Sequence, residues 1–368
     1  MVQRGYATGK NVLVEARTKL FAVSRTLELQ DFPANFVSRR STSVLLKQDA
    51  RPIGNPSALV QTPLMHHSPH TPLSPVRSHD TPSCDSSARP GIALALGGGF
   101  ARGFAHLGVL QVLEENHIPV SHIAGTSVGS ILGAAYASGA PLERIIDTCQ
   151  NLRLRDIARW RVSRWGLATN HCLGQLIERV FDSRHFEDLR IPMAVVATDL
   201  ASGDPVVFSH GPLVDAIRAS CAFPGLFEPV QMGTRHLADG GLVAPVPTVA
   251  ARGLGATSVL AVSVGMHDGH RGAPTNIFQV VSRAVSAAQK HQAELWERHA
   301  DLVLRPDVQS LAWDDFDRAD EAIAAGAAAA RHALPRIFKL LEAAIPAPMI
   351  LNRRIESRSE VWLSEVAQ

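Results

Sequence analysis

From Gly91 onward, the chain alternates between short unbroken apolar runs and longer stretches in which apolar residues recur every three or four positions. An unbroken short run fits a strand buried on both faces, and a three-to-four spacing fits a helix with one buried face. Strands are expected at 91–96, 121–124, 193–197, 206–208 and 258–264. The first is closed by Gly97-Gly-Gly99, after which a helical spacing runs through Leu107, Leu110, Val112 and Leu113. Further helices are expected over 127–138, which is rich in small residues, from Pro141 through Ile145 and Ile146, and over 213–220, 247–252, 275–300 and 316–344. Strands alternating with helices predict an α/β fold, a three-layer sandwich with a mainly parallel central sheet covered on both faces.

Upstream of Gly91 the pattern is different. Residues 1–51 hold only short apolar patches, at 12–14 and 20–23, and read as a poorly ordered N-terminal region. Residues 52–90 contain eight prolines among Ser, Thr and His, and read as a disordered linker. Such a segment buries too little apolar surface to offset the entropy of ordering it. The folded unit is expected at 91–345, followed by a tail at 346–368.

Composition narrows the class. Hydrophobic residues make up 46% of the chain but aromatics only 5%, so the core must be built from Ala, Val, Leu and Ile. The net charge of +2 is unevenly placed, with 11 Lys and Arg against 6 Asp and Glu in residues 1–90, and 25 against 28 in the rest. A basic field over the whole protein is therefore missing, and nucleic acid is not an expected partner. Cys84, Cys149, Cys172 and Cys221 show no paired spacing and no histidine at ligand distance, so neither a disulfide framework nor a metal site is expected. No apolar run reaches the length of a membrane span, and the first 25 residues lack the apolar core of a secretory signal. The expected location is cytoplasmic, with peripheral membrane contact as an extension.

Three glycine-bearing segments carry candidate chemistry. Gly125-Thr-Ser-Val-Gly129 has the form G-x-S-x-G between an expected strand and an expected helix, the setting of a nucleophile elbow. Its turn lifts the Ser127 hydroxyl clear of the sheet, and Gly125 and Gly129 avoid collisions that a side chain would cause. Gly97-Gly-Gly-Phe-Ala-Arg-Gly103 lies between the first strand and first helix. Its glycines let backbone N–H groups approach a substrate and stabilise an oxyanion, with Gly98 and Gly99 as candidate donors. Arg102 is expected to brace the loop or add positive charge. Phosphate binding fits the loop poorly, because Arg102 stands where a dinucleotide motif needs glycine and no Gly-Lys-Ser/Thr ending follows. Asp239-Gly240-Gly241 places a carboxylate before a tight turn, although Asp-Gly is also an ordinary turn dipeptide. A Ser–His–Asp triad is the competing arrangement, with His236, His267 or His291 as its third member; His106 reads as a packing or surface residue.

These three motifs, in this order and spacing, resemble a patatin-like phospholipase domain of the bacterial kind related to neuropathy target esterase. The resemblance spans about 91–264 and is supported by Ala197-Thr-Asp-Leu200, Ala219-Ser-Cys-Ala-Phe-Pro224 and Phe227-Glu-Pro-Val230. It implies a Ser127–Asp239 dyad, an oxyanion hole at Gly97, Gly98, Gly99, Arg102 and Gly103, and a proton-acceptor turn at Gly240 and Gly241. It also implies no metal or other cofactor, and a lipid substrate whose acyl ester is hydrolysed. Phe100 stands where the family often has a small residue, which alters the pocket mouth. A small-ester esterase or acyltransferase with the same dyad, or a catalytically weak membrane-associated regulator, is the alternative.

One further stretch bears on the membrane. Arg153, Arg155, Arg159, Arg161 and Arg164 accompany Trp160 and Trp165. Arg with Trp suits a bilayer interface, while a solvated helix face with its tryptophans in the core is the plainer reading.

Overall fold

The computed structural model describes residues 90–344 apart from 162, 266–272 and 276. The expected N-terminal region, nearly all of the expected linker, the expected tail and His267 fall outside the described residues. Numbered in chain order among the described residues, the elements begin with β1 (Ile92–Leu96), α1 (Ala105–Glu115), β2 (Val120–Thr126), α2 (Val128–Ala137) and α3 (Leu142–Gln150). A short α4 (Leu154–Ile157), a small hairpin of β3 (Arg159–Trp160) and β4 (Ala168–Thr169), and α5 (His171–Val180) follow. Then come β5 (Met193–Asp199), β6 (Pro205–Phe208), α6 (Leu213–Ser220), β7 (Val230–Met232), β8 (Arg235–Asp239), α7 (Thr248–Gly253) and β9 (Val259–Val262). The described chain closes with α8 (Ile277–Glu297), β10 (Leu302–Leu304) and α9 (Ala319–Ala344).

The main sheet runs β10-β9-β1-β2-β5-β8-β7, with β6 also paired to β5. The pairs among β10, β9, β1, β2 and β5 are parallel, whereas β6, β8 and β7 enter antiparallel. The sheet is thus mixed and mainly parallel, flanked by helices. Strand alternation sorts side chains by size. Ile92, Leu94, Leu96, Ile123, Met193, Val195, Leu260 and Val262 join one buried cluster with α1, α2 and α9. Ala93, Ala95, Ala124, Ala194, Val196 and Ala261 face the other way, against Val246, α7 and Trp296 of α8. The large-residue face supports the thicker helical layer, and the alanine face lets the second layer lie close. On the thick side, α1 and α9 cross in near contact: a Cβ on Gly326 would run into the Ala105 carbonyl, and one on Gly108 into that of Ile323.

The register around β5 positions the site. Val196 pairs with Thr126 of β2 and with Val207 of β6. Its neighbour Ala197 pairs with Asp239 of β8 and with Val206 of β6. Since β6 occupies one edge of β5 at both positions, β2 and β8 share the other edge and meet end to end there. The last residues of two strands distant in sequence, Thr126 and Asp239, therefore sit at adjacent positions along β5.

Candidate active site

Ser127 follows Thr126 directly and begins α2. Its backbone is at φ 52°, ψ −125°, a conformation that side-chain-bearing residues rarely adopt. Such a conformation persists only where surroundings hold it, and here the holds are visible. The Ser127 N–H donates to Ser220 Oγ at 2.8 Å, and the Ser220 hydroxyl donates to the Val196 carbonyl at 2.6 Å. The Ser127 carbonyl accepts from the Ser130 hydroxyl at 2.6 Å and from the Ser130 N–H at 2.8 Å. Gly125 and Gly129 make the turn possible, because a Cβ on Gly125 would meet Ser130 Cα at 2.5 Å and one on Gly129 would strike the Leu96 carbonyl.

Asp239 is buried, and the Ser127 side chain beside it favours its charged form. Asp239 Oδ1 accepts from the Gly241 N–H at 2.7 Å, and its backbone carbonyl accepts from the Thr198 hydroxyl at 2.8 Å. Gly240 must be glycine for this turn to close, since a Cβ there would strike the Val196 carbonyl. Burial raises the Asp239 carboxyl to about 6, and the Gly241 N–H and the Ser127 side chain hold it from rising further. A carboxylate of that basicity accepts a proton near neutral pH, as a solvated one at about 4 does poorly.

The glycine loop faces this pair. A Cβ on Gly98 would lie 3.3 Å from Ser127 Cβ. Its N–H, however, already donates to the Pro245 carbonyl at 3.1 Å. The Gly99 N–H, by contrast, has no acceptor among the described residues. Gly97 and Gly103 serve the loop's shape. The Gly97 N–H donates to the Val262 carbonyl at 3.0 Å, and a Cβ on Gly103 would strike Val128. Arg102 is buried and braces the loop, through Nε to the Leu311 carbonyl at 2.8 Å and Nη1 to the Gly265 carbonyl at 3.2 Å. Phe100 stands edge-on to both Phe223 and Trp313, closing one side of the loop with aromatic rings.

Among the described residues, no histidine takes the third place of a triad. His236 is exposed and stacked on Trp165, and His291 is exposed on α8. His106 is fully buried, not at the surface, and its Nε2–H donates to the Gly97 carbonyl at 2.8 Å. Burial lowers it to about 4, so it stays neutral and acts as a post for the loop. Cys221 lies beside the dyad, where burial first and the Asp239 charge second push its thiol up, so it does not ionise. No described cluster of three His, Cys, Asp or Glu side chains is placed to hold a metal ion.

A cavity of about 80 Å³, lined in part by Ser127, runs between α2, α3 and α5. Ile131, Leu132, Ile145, Leu176 and Phe181 are typical of its apolar lining. Ile157 and Phe227 form the wall nearest the β3–β4 hairpin, whose Ala168 pairs with Phe227. The Arg/Trp stretch is this hairpin and the short α4 before it, not one helix. All five arginines are exposed, and Trp160 and Trp165 are exposed at 36% and 53%, which removes the reading with tryptophans in the core.

Residues 94–252 match the family described as patatin-like phospholipase. An NTE family protein of Mycobacterium tuberculosis is 39% identical over 181 residues, covering 48% of this chain and 50% of that one. The human patatin-like phospholipase domain-containing protein 6 is 36% identical over 188 residues, covering 48% and 14%. Lysophospholipase NTE1 of Candida glabrata is 33% identical over 183 residues, covering 48% and 11%. The alignments thus span half or less of each relative's length. The glycine loop, the elbow serine and the Asp-Gly-Gly turn all lie inside the matched segment, so residues 94–252 are a patatin-like phospholipase domain by this match.

Proposed function

We propose that this protein hydrolyses acyl esters of lipids, with Ser127 as nucleophile and Asp239 as its base. The observation that carries the reading is the position of Ser127. Its side chain lies beside a buried carboxylate of raised basicity, and it lines an apolar cavity. Asp239 takes the Ser127 proton as the hydroxyl attacks the acyl carbonyl. The oxyanion is held by the Gly99 N–H, assisted by the N-terminal end of α2. Asp239 then protonates the leaving alcohol, and in the second half it activates water against the acyl-serine. The cavity holds the acyl chain, where each buried CH₂ contributes about 0.8 kcal/mol toward binding. The names of the matched relatives, a phospholipase-domain protein and a lysophospholipase, support a phospholipid or lysophospholipid as the substrate class. The exposed Arg159, Trp160, Arg161, Arg164 and Trp165 support peripheral contact with a lipid surface beside the cavity wall.

The test is fatty-acid release from a panel of phospholipids, lysophospholipids and short esters by wild type and Ser127→Ala. The expected result is release from long-chain lipids by wild type and none by the variant, which should melt close to the wild-type temperature. Undiminished turnover by Ser127→Ala would remove this serine from the chemistry. Hydrolysis confined to two- to four-carbon esters would replace the lipase reading with a small-ester esterase.

A further inference from the structure

The turn that carries Asp239 is held from outside by one long helix. Of the 21 residues of α8, only Ser282 and Trp296 are buried, so the helix rests lightly on the body of the protein. Gln289, Gln292 and Trp296 are spaced at three and four along it and share one face. That face meets the turn. Gln289 Nε2 donates to the Gly241 carbonyl at 2.8 Å, and Gln292 Nε2 donates to the Leu242 carbonyl at 3.1 Å. The Thr248 hydroxyl donates to the Trp296 carbonyl at 2.7 Å and anchors the last turn of the helix. Gln292 Oε1 is buried and has no hydrogen-bond partner among the described residues. A buried amide oxygen without a donor costs stability, so the Gln292 amide contributes through its N–H, and that N–H goes to the turn.

The bonds form a directed chain that ends on the carboxylate. Gln292 takes the carbonyl of the Leu242–Val243 peptide. The N–H of that peptide, on Val243, donates to the Gly240 carbonyl at 3.1 Å. The Gly240 carbonyl shares its peptide with the Gly241 N–H, which donates to Asp239 Oδ1 at 2.7 Å. Each bond polarises the next when donors and acceptors alternate in this way. Gln289 clamps the peptide in between, and a Cβ on Gly241 would lie 3.0 Å from Asp239 Oδ1 and 3.2 Å from Gln289 Nε2. The clamp matters because glycine leaves the backbone more freedom than any other residue.

We infer that Gln289 and Gln292 are positioning residues, which act from α8 through the turn to keep the Gly241 N–H on the carboxylate that takes the Ser127 proton. This rests on the reading of Asp239 as the base. The Gly241 bond favours the charged carboxylate, so weakening it makes Asp239 harder to ionise and moves its titration to higher pH. Cys221 is the titratable side chain beside Asp239, and burial pushes its thiol up, so it stays neutral. Lys290, next to Gln289 on α8, is exposed, and its charge is the same in the variants below.

The test compares wild type with the double variant Gln289→Met, Gln292→Met. Methionine keeps the length and helix propensity of glutamine and removes the donor. Two quantities are followed against pH: kcat and KM for a soluble ester, and the NMR shift of the Asp239 carboxyl carbon, identified by its loss in Asp239→Asn. In wild type both should turn over near pH 6. In the variant both midpoints should rise by about half a pH unit or more, which lowers the rate at pH 5 about threefold. KM should stay as it is, since neither glutamine lines the apolar cavity. If the double variant does not fold, Gln292→Met alone carries the test, with a smaller rise of the same sign. A purely structural role would lower the melting temperature and the yield of active protein equally at every pH. That result, or an unmoved carboxyl titration, would overturn the inference. A carboxyl titration that rises in a protein that hydrolyses no ester would keep the positioning role and sink the hydrolase reading.

Discussion

At the scale of single residues, the site is a set of buried polar groups held against their own preferences. Ser127 sits in a strained backbone conformation, and two other serines, Ser220 and Ser130, secure its N–H and carbonyl. Asp239 is held where ionisation is unfavourable, and this has a consequence for stability. Its folded-state value of about 6 lies above the unfolded value, so folding takes up a proton between roughly pH 4 and 6. The stability of the wild type therefore falls as pH rises through that window, because the charged carboxylate is buried above it. Asp239→Asn removes the charge and keeps an oxygen for the Gly241 N–H. The variant should be more stable than wild type at pH 8, by up to about 3 kcal/mol, with the gain shrinking to nothing below about pH 4. Urea unfolding at the two pH values reads this out, and equal or lower stability at pH 8 would contradict the raised basicity. Ser127 and Asp239 were legible in the sequence because glycine-flanked motifs mark the turns they need. Ser220 was legible only as part of Ala219-Ser-Cys-Ala-Phe-Pro224. Its bond to the elbow spans 93 residues and leaves no local pattern. The same holds for His106, whose bond to Gly97 shows only when the helix is seen folded back on the loop.

At the scale of elements, the strands and helices with sustained periodicity are those the sequence pattern anticipated, with ends shifted by a few residues. β2, for example, extends from the expected 121–124 to Val120–Thr126, which brings its end up to the elbow. β7, β10 and the β3–β4 hairpin were not legible, since two or three residues cannot show an alternation. α5 was missed because Leu173 and Ile177 are its buried apolar residues and Gly174 interrupts the pattern. The hairpin also carries a test. Its arginines and tryptophans are exposed beside the cavity wall, and Arg164 lies 4.8 Å over the Trp165 ring. If this edge meets the bilayer, anionic vesicles should speed hydrolysis relative to neutral ones. Added salt should reduce the difference, because surface attraction is screened within about 10 Å at 0.1 M. Trp165→Ala should lower the vesicle response and leave hydrolysis of a dispersed short ester unchanged. An equal response to both vesicle types would remove the hairpin's charge from the account and leave the dyad untouched.

At the scale of the whole molecule, the sheet separates two environments. Its large-residue face borders an apolar cavity, its alanine face packs against Val246, α7 and Trp296, and the strand ends between them carry the serine and the carboxylate. The alternation of strands and helices predicted this layering, but not the end-to-end meeting of β2 and β8 on one edge of β5. That junction depends on pairing between segments more than a hundred residues apart. No described helix is long and apolar enough to cross a membrane. The central claim is that Ser127 is the nucleophile and that Asp239 activates it. Its most direct test is the rate at which a fluorophosphonate modifies the protein at a series of pH values, with the adduct located by peptide mass spectrometry. The account predicts a single adduct on Ser127, a rate that rises with pH to a plateau above about pH 6 as Asp239 ionises, and at least about a thousand-fold slower labelling of Asp239→Asn. An adduct on another residue, or wild-type labelling rates in Asp239→Asn, would contradict it.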